Sequence, residues 1–241
     1  MVNENFNVML FPVNEKDVIN KLYTACRTCY SAEEPSFIYH MERYSTDKHT
    51  REDKLKLLDY VIRSGHHSVL EHCQLTFFID GITRATSHQW VRHRHASISQ
   101  QSQRYVQFKD GKFNYDIPAT IANSSVQGMF EGAMLHLGSI YQQLVDAGIP
   151  AEDARAVLPN ACLTNMTWSC NLRELIHICN ERLCSCAQLE ARTLARHIKE
   201  EVVNQLPFME DYLVPKCELL GYCNEPRRAC GRKPLKKEVI N

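Results

Sequence analysis

No carboxylate interrupts the chain between Asp80 and Asp110, yet that stretch holds Arg84, Arg92, Arg94, Arg104 and Lys109 together with His88, His93 and His95. Cations crowded this closely repel one another, so a fold that gathers them must present them to an anion. The whole chain carries 28 basic and 28 acidic side chains, so the excess is local. Within the block, Arg92-His93-Arg94 is followed by Ser102-Gln103-Arg104. Guanidinium and hydroxyl groups in that combination suit a phosphate-bearing small molecule better than a general basic surface.

With 241 residues, 44% of them hydrophobic, the chain has the material for an ordinary globular core. No run approaches the roughly 18 apolar residues of a membrane span. The opening Met1-Val2-Asn3-Glu4-Asn5 lacks the basic and apolar regions of a secretory signal. A soluble, cytoplasmic protein is expected, and there eleven cysteines do not make a disulfide framework. Cys162, Cys170, Cys179, Cys184 and Cys186 read as small buried hydrophobes. Cys217, Cys223 and Cys230 are spaced unlike a zinc motif, so no metal is expected.

Periodicity predicts the elements. Phe6 to Phe11 reads as a strand, and Val18, Ile19, Leu22 and Cys26 mark a helix over residues 15–29. Thr50 caps a second helix that Gly65 ends. Leu75 to Ile79 is a strand closed by Asp80-Gly81, followed by a helix from Ile82 to about His95. Ser97 to Val106 suits an extended loop, in which Gln100, Ser102 and Arg104 would share a face. An amphipathic helix over 124–147 stops at Gly148, and Pro150 opens a short one containing Arg155. Asn171 to Glu174 forms a capping box leading into a helix with His177 and Arg182. A last helix spans Ala187–Leu206, before a polar, Cys-containing tail over 207–241 of uncertain role. The expected fold is a single α/β domain (α+β type) over 1–241, with a mostly antiparallel central sheet flanked by helices.

Arg92-His93-Arg94, seven residues, then Ser102 resembles the signature of the flavin-dependent thymidylate synthases. Gly65-His66-His67-Ser68-Val69-Leu70-Glu71-His72 is similar to that family's segment ahead of a strand. Ala154-Arg155-Ala156-Val157-Leu158-Pro159 is similar to another, and Asn171, Arg173 and Arg182 match its last site helix. The resemblance implies an α/β homotetramer with active sites between subunits, binding FAD and converting dUMP to dTMP with 5,10-methylenetetrahydrofolate and NADPH. It gives Ser68, Arg92, His93, Arg94, Gln100, Asn171, Arg173 and His177 to FAD. Gln89, Arg92, Gln100, Ser102, Arg104, Arg155 and Arg182 fall to dUMP, with Trp90, Gln101 and Gln103 beside them. Arg182 and His66 take the catalytic positions, Arg182 stabilising charge on the pyrimidine. Gln100 stands where many members have an acid and His177 where an asparagine is common.

Two other classes compete. Nucleic-acid binding would want a wider basic surface than a chain of zero net charge offers. A metallohydrolase built on His66, His72, His88 and His93 lacks a recognised ligand framework. No nucleic-acid or membrane partner is expected.

Overall fold

The computed structural model describes residues 6–44 and 49–239. Four antiparallel strands form one sheet in the order β1-β2-β4-β3: β1 Asn7–Leu10, β2 Gln74–Thr83, β3 Ala96–Gln100 and β4 Leu163–Asn171. The helices are α1 Glu15–Thr28, α2 Pro35–Tyr44, α3 Arg51–Arg63, α4 Arg84–Trp90, α5 Ala119–Ala122 and α6 Gln127–Asp146. They continue with α7 Ala151–Ala154, α8 Leu172–Arg182, α9 Leu189–Gln205, α10 Lys216–Leu220 and α11 Lys236–Val239. An α/β architecture with an antiparallel sheet is therefore as expected.

Alternation builds the sheet. Leu75, Phe77 and Ile79 of β2 are fully buried, and Thr164, Met166, Trp168 and Cys170 alternate inward on β4. Phe77 lies opposite Trp168 in the register, their ring centroids 5.2 Å apart. Each such side chain, fully buried, contributes about 1.5–3 kcal/mol. Against this sheet pack the apolar stripes of α1, α3, α8 and α9, including Leu22, Leu58, Leu175, Leu194 and Ile198. A smaller cluster of Phe113, Met134 and Cys162 sits under α6. There Gly111 and Gly138 bring two backbones together: a Cβ on Gly138 would run into the Gly111 carbonyl, and Gly111 itself has φ +65°.

Thr50 accepts from Asp53 N–H in a complete capping box, and Gly65 takes φ +84°. Other expectations need correcting. Asp80-Gly81 does not end the second strand. It forms a bulge, with Gly81 N–H donating to Asn165 Oδ1 at 2.9 Å, and pairing resumes at Ile82. The helix expected from Ile82 to about His95 is only Arg84–Trp90, and the supposed loop at 97–106 begins as edge strand β3. Strand β4 and helix α2 were not foreseen. The polar tail does not begin at Pro207, because Met209 and Leu213 are fully buried in the main core. Cys162, Cys170 and Cys179 are buried as expected, whereas Cys184 and Cys186 are half-exposed.

Candidate functional site

The cationic block turns at the end of α4, and its two halves serve different places. Thr83 caps α4 by accepting from Thr86 N–H. The Glu190 carboxylate of α9 then accepts from Thr83 N–H at 2.7 Å, Thr83 Oγ–H at 2.6 Å and Thr86 Oγ–H at 2.6 Å. That anchor fixes where Arg92, His93 and Arg94 emerge. Trp90 is wholly buried, edge-on to Trp168 at 5.5 Å, so its ring supports the turn from beneath and cannot face a nucleotide.

His93 is the buried hinge of the site. Arg182 Nε–H, from the end of α8, donates to His93 Nε2 at 2.9 Å, and Arg182 Nη2–H donates to the Gln89 carbonyl at 3.1 Å. Burial, then the Arg182 charge and His177, pull the imidazole down to about 4. It is neutral at physiological pH. Because Nε2 accepts, the proton sits on Nδ1, which faces Glu174 Oε1 at 4.0 Å. That separation is too long for a hydrogen bond, and with the ring neutral it is no ion pair. Burial also lowers the Arg182 pKa, an effect Glu181 partly offsets.

Two clefts share this hinge. One of about 790 Å³ is lined by His67, Arg92, Arg94, Asn171, Arg173 and His177 among others. Among the described residues no carboxylate stands at ion-pair distance from Arg92 or Arg94, while Arg173 pairs with Glu71. The other cleft, about 540 Å³, contains Arg92, His93, His177 and Arg182. Asn171 caps α8 by accepting from Glu174 N–H at 2.8 Å, but the Glu174 carboxylate points toward His93 instead of closing the box. His66 and Ser68 are exposed on the preceding turn and line neither cleft, whereas the neighbouring His67 and Glu71 do.

The remaining predicted residues gather beyond the far end of β3. Gln100 Nε2–H donates to Ser87 Oγ at 2.9 Å and Thr164 Oγ1 at 3.2 Å. The extended backbone ends there, so Gln100, Ser102 and Arg104 do not form one alternating face. Ser102 Oγ accepts from Arg104 N–H at 3.2 Å in a turn. Arg104 grips Glu152 (Nη2 to Oε2, 2.7 Å), and Arg155 Nε–H donates to the Glu152 carbonyl at 3.0 Å. Gln101 and Gln103 bond Asn165 and Cys162, and the Gln89 amide bonds Gln188. Arg84 and Arg155 feel each other's charge here, although burial dominates the lowering of the Arg84 pKa. Arg84, Glu152, Glu174 and Glu190 carried no site assignment: Arg84 counted only toward the cationic block, and Glu174 only as a capping residue. Along β3 alone the two residue groups are separated by about 13 Å.

A family profile described as "Thymidylate synthase complementing protein" matches residues 13–208. A flavin-dependent thymidylate synthase of Geobacter sulfurreducens is 45% identical over 80% of this chain and 84% of its own. The chain belongs to the flavin-dependent thymidylate synthase family. A flavin-dependent thymidylate synthase of Nitratidesulfovibrio vulgaris is 40% identical over 92% of this chain and 93% of its own. In fold, the family member is similar to a UMP/dUMP methylase, PolB, of Streptomyces cacaoi, solved with 5-Br dUMP bound. The TM-score is 0.71 at 22% identity, covering 86% of this chain and 94% of that one.

Proposed function

We propose that this chain is a flavin-dependent thymidylate synthase that methylates dUMP to dTMP, with FAD as its flavin, NADPH as reductant and 5,10-methylenetetrahydrofolate as carbon donor. One observation carries the reading: a cleft with two carboxylate-free arginines, Arg92 and Arg94, opens beside an arginine held by a neutral histidine. Fixed guanidinium donors on a roomy cleft fit the pyrophosphate of FAD, with Asn171, Arg173 and His177 along its wall. Reduced flavin, when bound, supplies the hydride.

The chain's own residues orient and polarise. Ser102, Arg104 and Arg155 would take the dUMP phosphate, which displaces Arg104 from the Glu152 carboxylate. Arg182 presents a delocalised charge to the pyrimidine carbonyl as electron density builds at carbon 5. The neutral His93 matters here, because an imidazolium would repel Arg182 and could not accept its Nε–H. A thiolate nucleophile is not needed. Burial pushes the Cys73 thiol up and Cys162, which accepts from Gln103, up to about 11, so both stay protonated.

Since Arg92 and Arg94, offered to FAD, precede β3 and Ser102 and Arg104, offered to the dUMP phosphate, follow it, a homotetramer would complete each site from neighbouring subunits. We read the 241 residues as one catalytic domain, working in the cytoplasm on small molecules, without nucleic acid. Among the described residues no helix is long and apolar enough to cross a membrane. The test is anaerobic reduction of the FAD-loaded protein by NADPH, followed by tritium release from 5-tritiated dUMP. Protein that neither takes up FAD nor releases tritium would defeat the proposal.

A further inference from the structure

Beyond Pro215 the chain has almost nothing to fold on. From Lys216 to Val239 the only buried residue is Cys223, yet the segment is ordered into α10, α11 and a parallel bridge from Cys223 to Leu235. A segment this short without an apolar core needs another source of stability, which in small folds is a disulfide or a metal. No disulfide is formed.

Five cysteines line the same cavity: Cys217, Cys223 and Cys230 from this segment, with Cys184 and Cys186 from the connection between α8 and α9. Their surroundings are those of metal-ligating sulfurs. Cys223 Sγ accepts the N–H of Glu225, two residues on, at 3.4 Å, and Cys230 accepts the N–H of Arg232, again two residues on. Such turns aim backbone donors at a sulfur. Ser185 donates a further hydrogen bond to Cys230. Cys217 lies within electrostatic range of both Cys184 and Cys223. Lys216, Arg228 and Arg232 line the same cavity and offset the negative charge of a tetrathiolate. Cys186 differs: its thiol hydrogen-bonds Cys184 and donates to the Arg228 carbonyl at 3.4 Å.

We propose that Cys184, Cys217, Cys223 and Cys230 form a structural zinc site that staples the C-terminal segment to the α8–α9 connection. Among the described residues no three His, Cys, Asp or Glu side chains already stand in a ligating arrangement, so a bound metal would have to draw these thiols together. Four sulfur ligands with no open position suit zinc in a structural, tetrahedral role. Binding would require loss of the thiol protons. The consequence is local to the enzyme's second cleft, because the stapled segment lines the same cavity as Arg92, His93 and Arg182.

The experiment uses the full chain, purified without chelator and assayed for metal by elemental mass spectrometry. About one equivalent of zinc per chain is expected. Cys223→Ser and Cys230→Ser should each lose it, while Cys186→Ser and the exposed Cys29→Ser keep it. Chelating the wild type should open the segment after Pro215 to limited proteolysis while circular dichroism of the remainder is unchanged, a readout independent of any variant's folding. Cobalt reconstitution should give the thiolate charge-transfer and intense ligand-field bands of a tetrahedral sulfur site. Protein from zinc-supplemented cells that holds no zinc, or holds iron with sulfide, would overturn the assignment. So would zinc that survives both ligand substitutions.

Discussion

Replacing Arg182 with alanine should separate chemistry from folding. Two hydrogen bonds disappear, to His93 Nε2 and to the Gln89 carbonyl. Gln89 is half-exposed and can turn to water, but His93 is only 7% exposed, so its acceptor is left unpaired. Stranding a buried acceptor costs about 1–3 kcal/mol. In a chain of this size that lowers the melting temperature by roughly 2–12 °C. The protein should remain folded and yellow, since Arg94, Asn171 and Arg173, assigned to FAD, line the neighbouring cleft and keep their places.

Turnover should suffer more. Losing one preorganised donor aimed at developing charge typically costs about 10²–10³ in rate. Arg182→Ala should therefore oxidise NADPH yet release tritium from dUMP roughly a hundredfold or more slowly, at saturating dUMP. A second readout checks the coupling to His93. Its pKa, about 4, is set first by burial and then by the Arg182 charge. Without that charge it should rise while staying below the ordinary 6.5, measured by NMR titration of the ring protons. Normal tritium release with an unmoved His93 titration would refute both the activating role and the pairing from which it is argued.

Arg155→Ala should raise KM for dUMP about 10–100-fold with little change in kcat, because a phosphate contact is made equally in ground and transition states; a kcat defect would argue against it. Acid should destabilise the protein in two stages, followed by urea unfolding at successive pH values. The depressed His93 gives stability that is full above about 6.5 and is lost as pH falls toward about 4. Glu42 acts lower. Burial raises its pKa, but Lys54 at 2.8 Å and His49 at 2.7 Å outweigh burial and leave it below the ordinary range. Its contribution is present above about pH 4.3 and fails as pH drops through the folded value. A flat profile between pH 6.5 and 4 would contradict the neutral, buried His93. Gly138→Ala should cost about 1–3 kcal/mol, since its Cβ meets the Gly111 carbonyl; unchanged thermal stability would show that α6 shifts freely.

What was legible in the sequence follows from what makes an element. Helices α1, α3, α6, α8 and α9 repeat apolar residues at helical spacing or carry a recognisable cap, so their signals are local. Strand β3 does not. Ala96 to Gln100 is an edge strand with no fully buried residue, and its identity comes from pairing with β4 more than sixty residues away. Helix α2 hides similarly, because one of its two buried residues is Glu42, held by Lys54 and His49 from beyond its own end. The site divides along the same line. Arg92, Arg94, Asn171 and Arg173 could be marked from the resemblance of their segments to the family's, and they do share a cleft. The state of His93 could not, because it is set by burial in the folded chain and then by Arg182, 89 positions away. The thiols show what spacing alone leaves out. Taken in sequence, the gaps between Cys217, Cys223 and Cys230 argue against a metal. The fold adds Cys184 and Cys186 to the lining of the same cavity, a proximity that no spacing along the chain could show.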